Sequence, residues 1–214
     1  MTTLTLAPNG LQWIRNKQAY GPNFATNNIY YIKQGYASAI AFGDLVSTGS
    51  SGNAGYVTQY VAGAGNPVLG VFVGVSTYFD TVQNSPVAAK NYWAGTESPS
   101  GDVACFIIDD PFAVFRIQVS GGPITTASRG LNADVTGSGA PNSFGLSTAA
   151  LNFSTVATTS TLPLRIIGWS AAAVQSATGS YDPTQGSSAN QPTNNYAEVT
   201  LNPGACESLL GTGI

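Results

Sequence analysis

Asp109 and Asp110 stand side by side in "ACFIIDDPFAVFRIQVSG", between two apolar runs, in a chain with only ten acidic residues over 214 positions. Two carboxyls flanking a sugar could do general acid and base work, provided they sit at a defined separation. That chemistry would need a further partner such as Asp102, Asp134 or Glu97, and an aromatic platform for which "NYWAGTESP" at 91–99 could serve. The pair could also hold calcium with loop carbonyls, although no "DxDxDG"-type loop is present. Neighbouring residues in an extended chain point to opposite faces, so the two carboxyls would not converge without a special bend. Pro111 cannot donate to a ladder, and it pushes Asp110 to the extended region. Aspartate readily accepts local backbone N–H bonds. A strand, an Asp109-Asp110-Pro111 corner and a second strand account for the stretch without catalysis.

Other chemistry finds little footing. The chain has no histidine, which removes the usual general base and the commonest zinc ligand. Cys105 and Cys206 are 101 positions apart in no metal-type spacing. Cys105 is read as a small core residue, and whether the two thiols pair stays open. "GVFVGVS" has glycines at 70 and 74 but no helix after it, and neither a "GxSxG" nor a "GxxxxGK" loop occurs. The expectation is a non-enzymatic protein without cofactor or metal.

Strands must position whatever site exists. Short β-branched or aromatic runs at 30–35, 43–49, 55–61, 68–76, 102–108, 113–120, 163–171 and 195–202 are bounded by Gly, Pro, Asn and Ser. Sustained helical periodicity is absent. The fold class expected is all-β, a β-barrel or jelly-roll-like sandwich. In "AVFRIQV", Phe115, Ile117 and Val119 are assigned to the core, with Val114, Arg116 and Gln118 on the other face.

Residues 1–42 form either an N-terminal arm or a layer covering the body, and Trp13, Tyr20, Phe24, Tyr30 and Tyr31 are the candidate contacts to a neighbouring chain. The body spans 43–202. Within it 121–161 reads as a long ordered Gly/Ser/Thr-rich excursion anchored by Leu131, Val135, Phe144, Leu146 and Leu151, and 176–195 as a surface loop anchored by Tyr181. Residues 203–214 are a C-terminal tail. Trp93 and Trp169 are expected as core or interface anchors.

Only 8% of residues are charged, against roughly 25% on average. So weak a surface charge suits a protein packed against neighbours rather than a free monomer. Net charge is −3, and Lys and Arg are scattered singly, which argues against nucleic acid. "MTTLTLAPNG" lacks the basic and apolar regions of a signal peptide, and no run approaches about 18 apolar residues, so no membrane partner is expected.

In order, "GDLV", "VLGVFVGVSTYFD", "NYWAGT", "GDVACFIIDDPFAVFRIQ", "PLRIIGWSA" and "NYAEVTLN" resemble the cement or decoration proteins of tailed-phage heads, over residues 43 to 202. The most specific element is "DDPFAVFRIQ" joined to a later "LRIIGW" strand and an "AEVTLN" ending. The resemblance implies a β-barrel or jelly-roll body on the outer capsid surface of a virion, made in the host cytoplasm. It further implies binding to the major capsid protein and to neighbouring copies, bridging capsomers, with no cofactor and no catalytic residue. The alternative is a tail-associated or receptor-binding β module that recognises host glycans through Tyr78, Tyr92 and Trp93.

Overall fold

The computed structural model describes residues 8–17, 27–139, 141–169 and 196–209, and among them the fold is all-β, with three single-turn 3-10 segments. The strands are β1 (Gln12–Asn16), β2 (Asn28–Ile32), β3 (Leu45–Thr48), β4 (Val57–Gln59), β5 (Gly70–Val75), β6 (Tyr78–Asp80), β7 (Ser85–Val87), β8 (Val103–Ile108), β9 (Ala113–Ser120), β10 (Asn132–Thr136), β11 (Ala150–Ala157), β12 (Leu164–Trp169) and β13 (Tyr196–Leu201). No helix among these residues is long and apolar enough to cross a membrane.

Five strands close into a ring. β9 pairs with β11, β11 with β10, β10 with β12, β12 with β13, and β13 returns to β9 through Tyr196–Gln118 to Val199–Phe115. Closure removes the exposed edges that make open sheets prone to association. Phe115, Ile117 and Val119 fill the interior as expected, together with Val135, Leu151, Leu164, Ile166, Val199 and Leu201. The opposite face of β9 departs from the expected pattern. Arg116 is half-buried, but Val114 and Gln118 are buried as well.

The second sheet runs β2-β8-β5-β3-β4, all antiparallel. β5 reads as a continuous apolar run because both of its faces are largely buried, whereas β8 buries Val103, Cys105, Ile107 and Ile108 and leaves Ala104 and Phe106 half-buried. Leu45, Val71 and Ile108 point to the core shared with the ring, while Val46, Phe72 and Ile107 point to a second core. Two-sided burial removes the alternation that a half-solvated strand would show. A β-bulge between Phe72 and Gly74 lets Phe72 and Val75, three residues apart, enter the same core. The sheet curls until β2 and β4 approach each other. Side chains seal that seam: the Gln59 backbone N–H donates to Tyr36 Oη at 2.8 Å, Tyr56 Oη donates to Asp102 Oδ2 at 2.8 Å, and Lys33 Nζ donates to the Gly52 carbonyl. Trp93 lies buried under the second core, its Nε1–H donating to the Tyr36 carbonyl at 3.0 Å, and its backbone pairs with Ile40.

Several sequence expectations change. Residues 121–161 are no excursion, because β10 and β11 within them are two strands of the ring. Val135 and Leu151 are core anchors there, but Phe144 is 78% exposed. Within residues 1–42, β1 and β2 are hydrogen-bonded members of the two sheets. At the C-terminal side Cys206 is buried and bridges to Val68, and Glu207 accepts from the Thr48 backbone N–H at 2.8 Å. Cys105 and Cys206 lie in different cores and form no disulfide. The loop at 176–195 and Tyr181 lie outside the described residues, as does the Trp169 side chain.

Gly74 carries the bulge at φ +152°, and a Cβ there would stand 2.6 Å from the Lys90 carbonyl oxygen. Gly74→Ala should therefore lose about 2 kcal/mol and lower the melting temperature by roughly 4–8 °C. Gly52→Ala, where an added Cβ meets nothing within 4 Å, should leave the melting temperature nearly unchanged. Equal melting of the two variants would contradict the assigned bulge.

Candidate functional site

The carboxylate corner is where the chain leaves the curled sheet and enters the ring: β8 ends at Ile108 and β9 begins at Ala113. The two aspartates diverge there. Asp109 accepts from Asn28 Nδ2 at 2.8 and 3.0 Å and from Tyr30 Oη at 2.6 Å, both on β2. Asp110 accepts from Asn16 Nδ2 on β1 at 3.0 Å, and its other oxygen takes the Phe112 N–H at 2.8 Å, closing a local turn through Pro111. Lys17 N–H adds a bond to the Phe112 carbonyl at 2.9 Å. The pair thus fastens one N-terminal strand to each sheet. Burial, followed by the Asp109 hydrogen bond, pushes the Tyr30 hydroxyl well above its usual range.

The other carboxylates considered with them are held elsewhere. Asp102 precedes β8 and accepts from the Gln34 N–H and Tyr56 Oη. Six strand residues separate it from Asp109, roughly 20 Å and more than twice a glycosidase separation. Asp134 is buried and accepts from Tyr60 Oη at 3.2 Å. Glu97 pairs with Lys90 Nζ at 2.6 Å. Among the described residues no group of three or more His, Cys, Asp or Glu side chains is placed to hold a metal ion.

The proposed contact aromatics separate into three groups. Trp13 packs on the first core and donates through Nε1 to Asn16 Oδ1 at 3.0 Å, and Tyr30 packs on the second core. Tyr31 points to solvent at 52% exposure, beside Ile29 at 61%. Tyr20 and Phe24 lie outside the described residues.

Around Lys90 the structure assembles an aromatic cluster. Its ammonium stands 5.8 Å from the Tyr78 ring centroid and 4.8 Å from that of Tyr92. Trp93, expected beside them on a glycan platform, is buried and meets Tyr78 as a tilted pair at 6.1 Å, so it offers no face to a sugar. Burial alone would push Glu97 up, but the Lys90 ammonium and the Ala94 N–H overcome it and hold the carboxyl below its ordinary 4.5.

Two features escaped the sequence reading. Asp44, inside "GDLV", is fully buried and accepts from Ser147 Oγ at 2.5 Å, Ala41 N–H at 2.8 Å and Gly139 N–H at 3.1 Å. Burial raises its carboxyl above the ordinary range against the pull of those donors. That knot fixes the segment carrying Phe144. In "NSFG", Asn142 Oδ1 accepts from the Phe144 and Leu146 N–H groups at 2.9 and 3.0 Å, and Gly145 adopts φ +77°. Asn and Gly at that spacing signal a turn, which would have placed Phe144 at its tip rather than in a core.

Comparison with protein-family models, curated proteins and solved structures finds no match to the chain.

Two measurements check this geometry. Asp109→Ala should cost about 1–3 kcal/mol and speed amide exchange in β2 but not in β1; Asp110→Ala should do the reverse. Parallel loosening of both strands by either variant would show that the corner does not divide its work. For Glu97, a lowered folded-state pKa gives stability that is present above pH 4.5 and lost as pH falls through the folded value. The melting-temperature gap between wild type and Glu97→Gln should be widest above pH 5 and close on acidification.

Proposed function

We propose that the chain is a structural virion protein, a cement or decoration protein on the outside of an icosahedral phage capsid, bound to the major capsid protein and bridging capsomers. The observation that carries this reading is a set of large apolar side chains held exposed on ordered elements in a nearly uncharged chain. Ile29, Tyr31, Phe79, Val82, Phe112 and Phe144 all face solvent, while Lys and Arg number seven and Asp and Glu ten in 214 residues. Rigid aromatic anchors with few charges are what the buried centre of a protein interface is made of. The blocks resembling head-cement proteins, and an acidic chain without a basic patch, support a place outside the shell and away from packaged DNA. Modest affinity per copy suffices, because many copies act on one shell.

The alternative, a tail-associated module that recognises glycans, loses Trp93 from its three aromatics and keeps Tyr78 and Tyr92 beside Lys90.

A protein that binds only the assembled lattice stabilises it by about 2.7 kcal/mol per site at a hundredfold excess over its dissociation constant. Particles lacking the chain should therefore form shells that release DNA at a lower temperature, and added purified protein should restore the loss. Equal heat stability with and without it, or labelling confined to tails, would remove the cement function.

A further inference from the structure

Strand pairing gathers two cations, Lys17 and Arg165, on the outer face of the ring. β1 and β13 flank β9 on its two edges, and β12 follows β13. Lys17, one residue past β1, donates from Nζ to Thr200 Oγ1 on β13 at 3.2 Å. Thr200 is in turn the register partner of Arg165 on β12. The threonine is buried, whereas both cations are exposed. Partial loss of water around the ammonium, and after it the charge of Arg165, holds Lys17 below the usual lysine range. Like charges within reach of each other cost free energy until a counter-charge joins them.

The other cations nearby are already engaged. Arg15 pairs with Glu198 at 2.6 Å, and Arg116 donates to Gln12 Oε1 at 3.0 Å and stands 5.4 Å from the Tyr196 ring centroid. Every acid among the described residues is likewise held in a place of its own. Glu97 and Glu198 stand in ion pairs, and the others, from Asp44 to Glu207, are bound by neutral N–H, hydroxyl or amide donors. Among these residues Lys17 and Arg165 meet no carboxylate. Two cations kept together at a cost, with the forked donors of a guanidinium unused, are the electrostatic mark of a ligand site.

We propose that Lys17 and Arg165 form an oxyanion-binding site whose occupant is a carboxylate on an acidic segment of a partner protein. The planar guanidinium matches the two oxygens of a carboxylate, and the ammonium adds a point charge beside it. Thr200 holds the ammonium in place from below. Two cations suit one oxyanion, whereas a nucleic-acid backbone takes a row of them. Binding relieves the repulsion between the pair and so favours the charged form of Lys17. The site goes beyond the capsid function and is measured on the purified chain alone.

Magnetic-resonance titration of the full chain tests it, at constant ionic strength so that screening does not change. The probes are a capped tetraglutamate peptide and inorganic phosphate. The peptide should shift the Lys17 side-chain and Thr200 amide resonances and raise the pH at which the Lys17 ammonium titrates. Lys17→Gln and Arg165→Gln should each bind it at least about tenfold more weakly, as loss of a charge-assisted contact implies. Both positions are exposed, melting curves confirm that each variant is folded, and either variant alone decides the matter. Lys33→Gln, which removes a cation beside the curled sheet, should bind as wild type does. Phosphate that binds these residues more tightly than the peptide would overturn the protein carboxylate as occupant. Absence of shifts at Lys17 and Thr200, or equal weakening in Lys33→Gln, would overturn the site itself. So would a response seen only in Asp182→Asn, because the chain would then be supplying its own counter-charge.

Discussion

Adjacent residues of an extended chain face opposite ways, and the molecule places that constraint at the four-residue passage from curled sheet to ring, between β8 and β9. Asp109 turns toward β2 and Asp110 toward β1. Because Pro111 denies the corner a ladder bond, the side chains supply the hydrogen bonds that the backbone cannot. The strand leading in and the strand leading out each bury residues in the core between the sheets, Ile108 on one side and Ala113 and Phe115 on the other. Displacing the corner would therefore move both sheets and both N-terminal strands together. Carboxylates that look like a reactive pair in the sequence are a coupling between two halves of one body.

The same use of acid groups recurs through the interior. Asp44 ties Gly139 and Ser147 to the start of the curled sheet, Asp134 meets Tyr60 across from the ring, and Glu207 binds the backbone and hydroxyl of Thr48. None of these contacts is to a cation. Neutral donors satisfy each charge, and N–H groups and hydroxyls positioned around a carboxylate are strong partners in a low-dielectric interior. A chain poor in lysine and arginine can in this way bury several acids and spend its few ion pairs, such as Arg15–Glu198 and Lys90–Glu97, nearer the surface.

The strands with a strong apolar pattern were legible: "AVFRIQV" alternates, and "VACFII" is apolar throughout, with Val103, Cys105 and Ile107 in one core and Ile108 in the other. β10 and β11 were not. "NADVT" and "ALNFSTVA" set the apolar Val135, Leu151, Phe153 and Val156 among small and polar residues, so neither shows a sustained strand pattern, and the ring supplies the burial. β1 hides for another reason, since its register shifts between Trp13 and Arg15 and breaks the alternation. The hairpin of β6 and β7 has three-residue strands, one containing Pro86. At the site level, composition singled out aromatic anchors but could not distinguish those that pack inward, Trp13 and Tyr30, from those left outside, Tyr31 and Phe144. That distinction depends on which side of a strand or turn faces a core, which only the pairing partner fixes.

The two cysteines carry a consequence for what holds the fold together. Each is sealed in its own hydrophobic core, and burial pushes the Cys105 thiol up to about 12, leaving almost no thiolate to react at neutral pH. Neither sulfur contributes a cross-link that a reductant could cut, and Cys105 offers an oxidant little to attack. The fold therefore holds together without any bond that a change of redox potential would make or break.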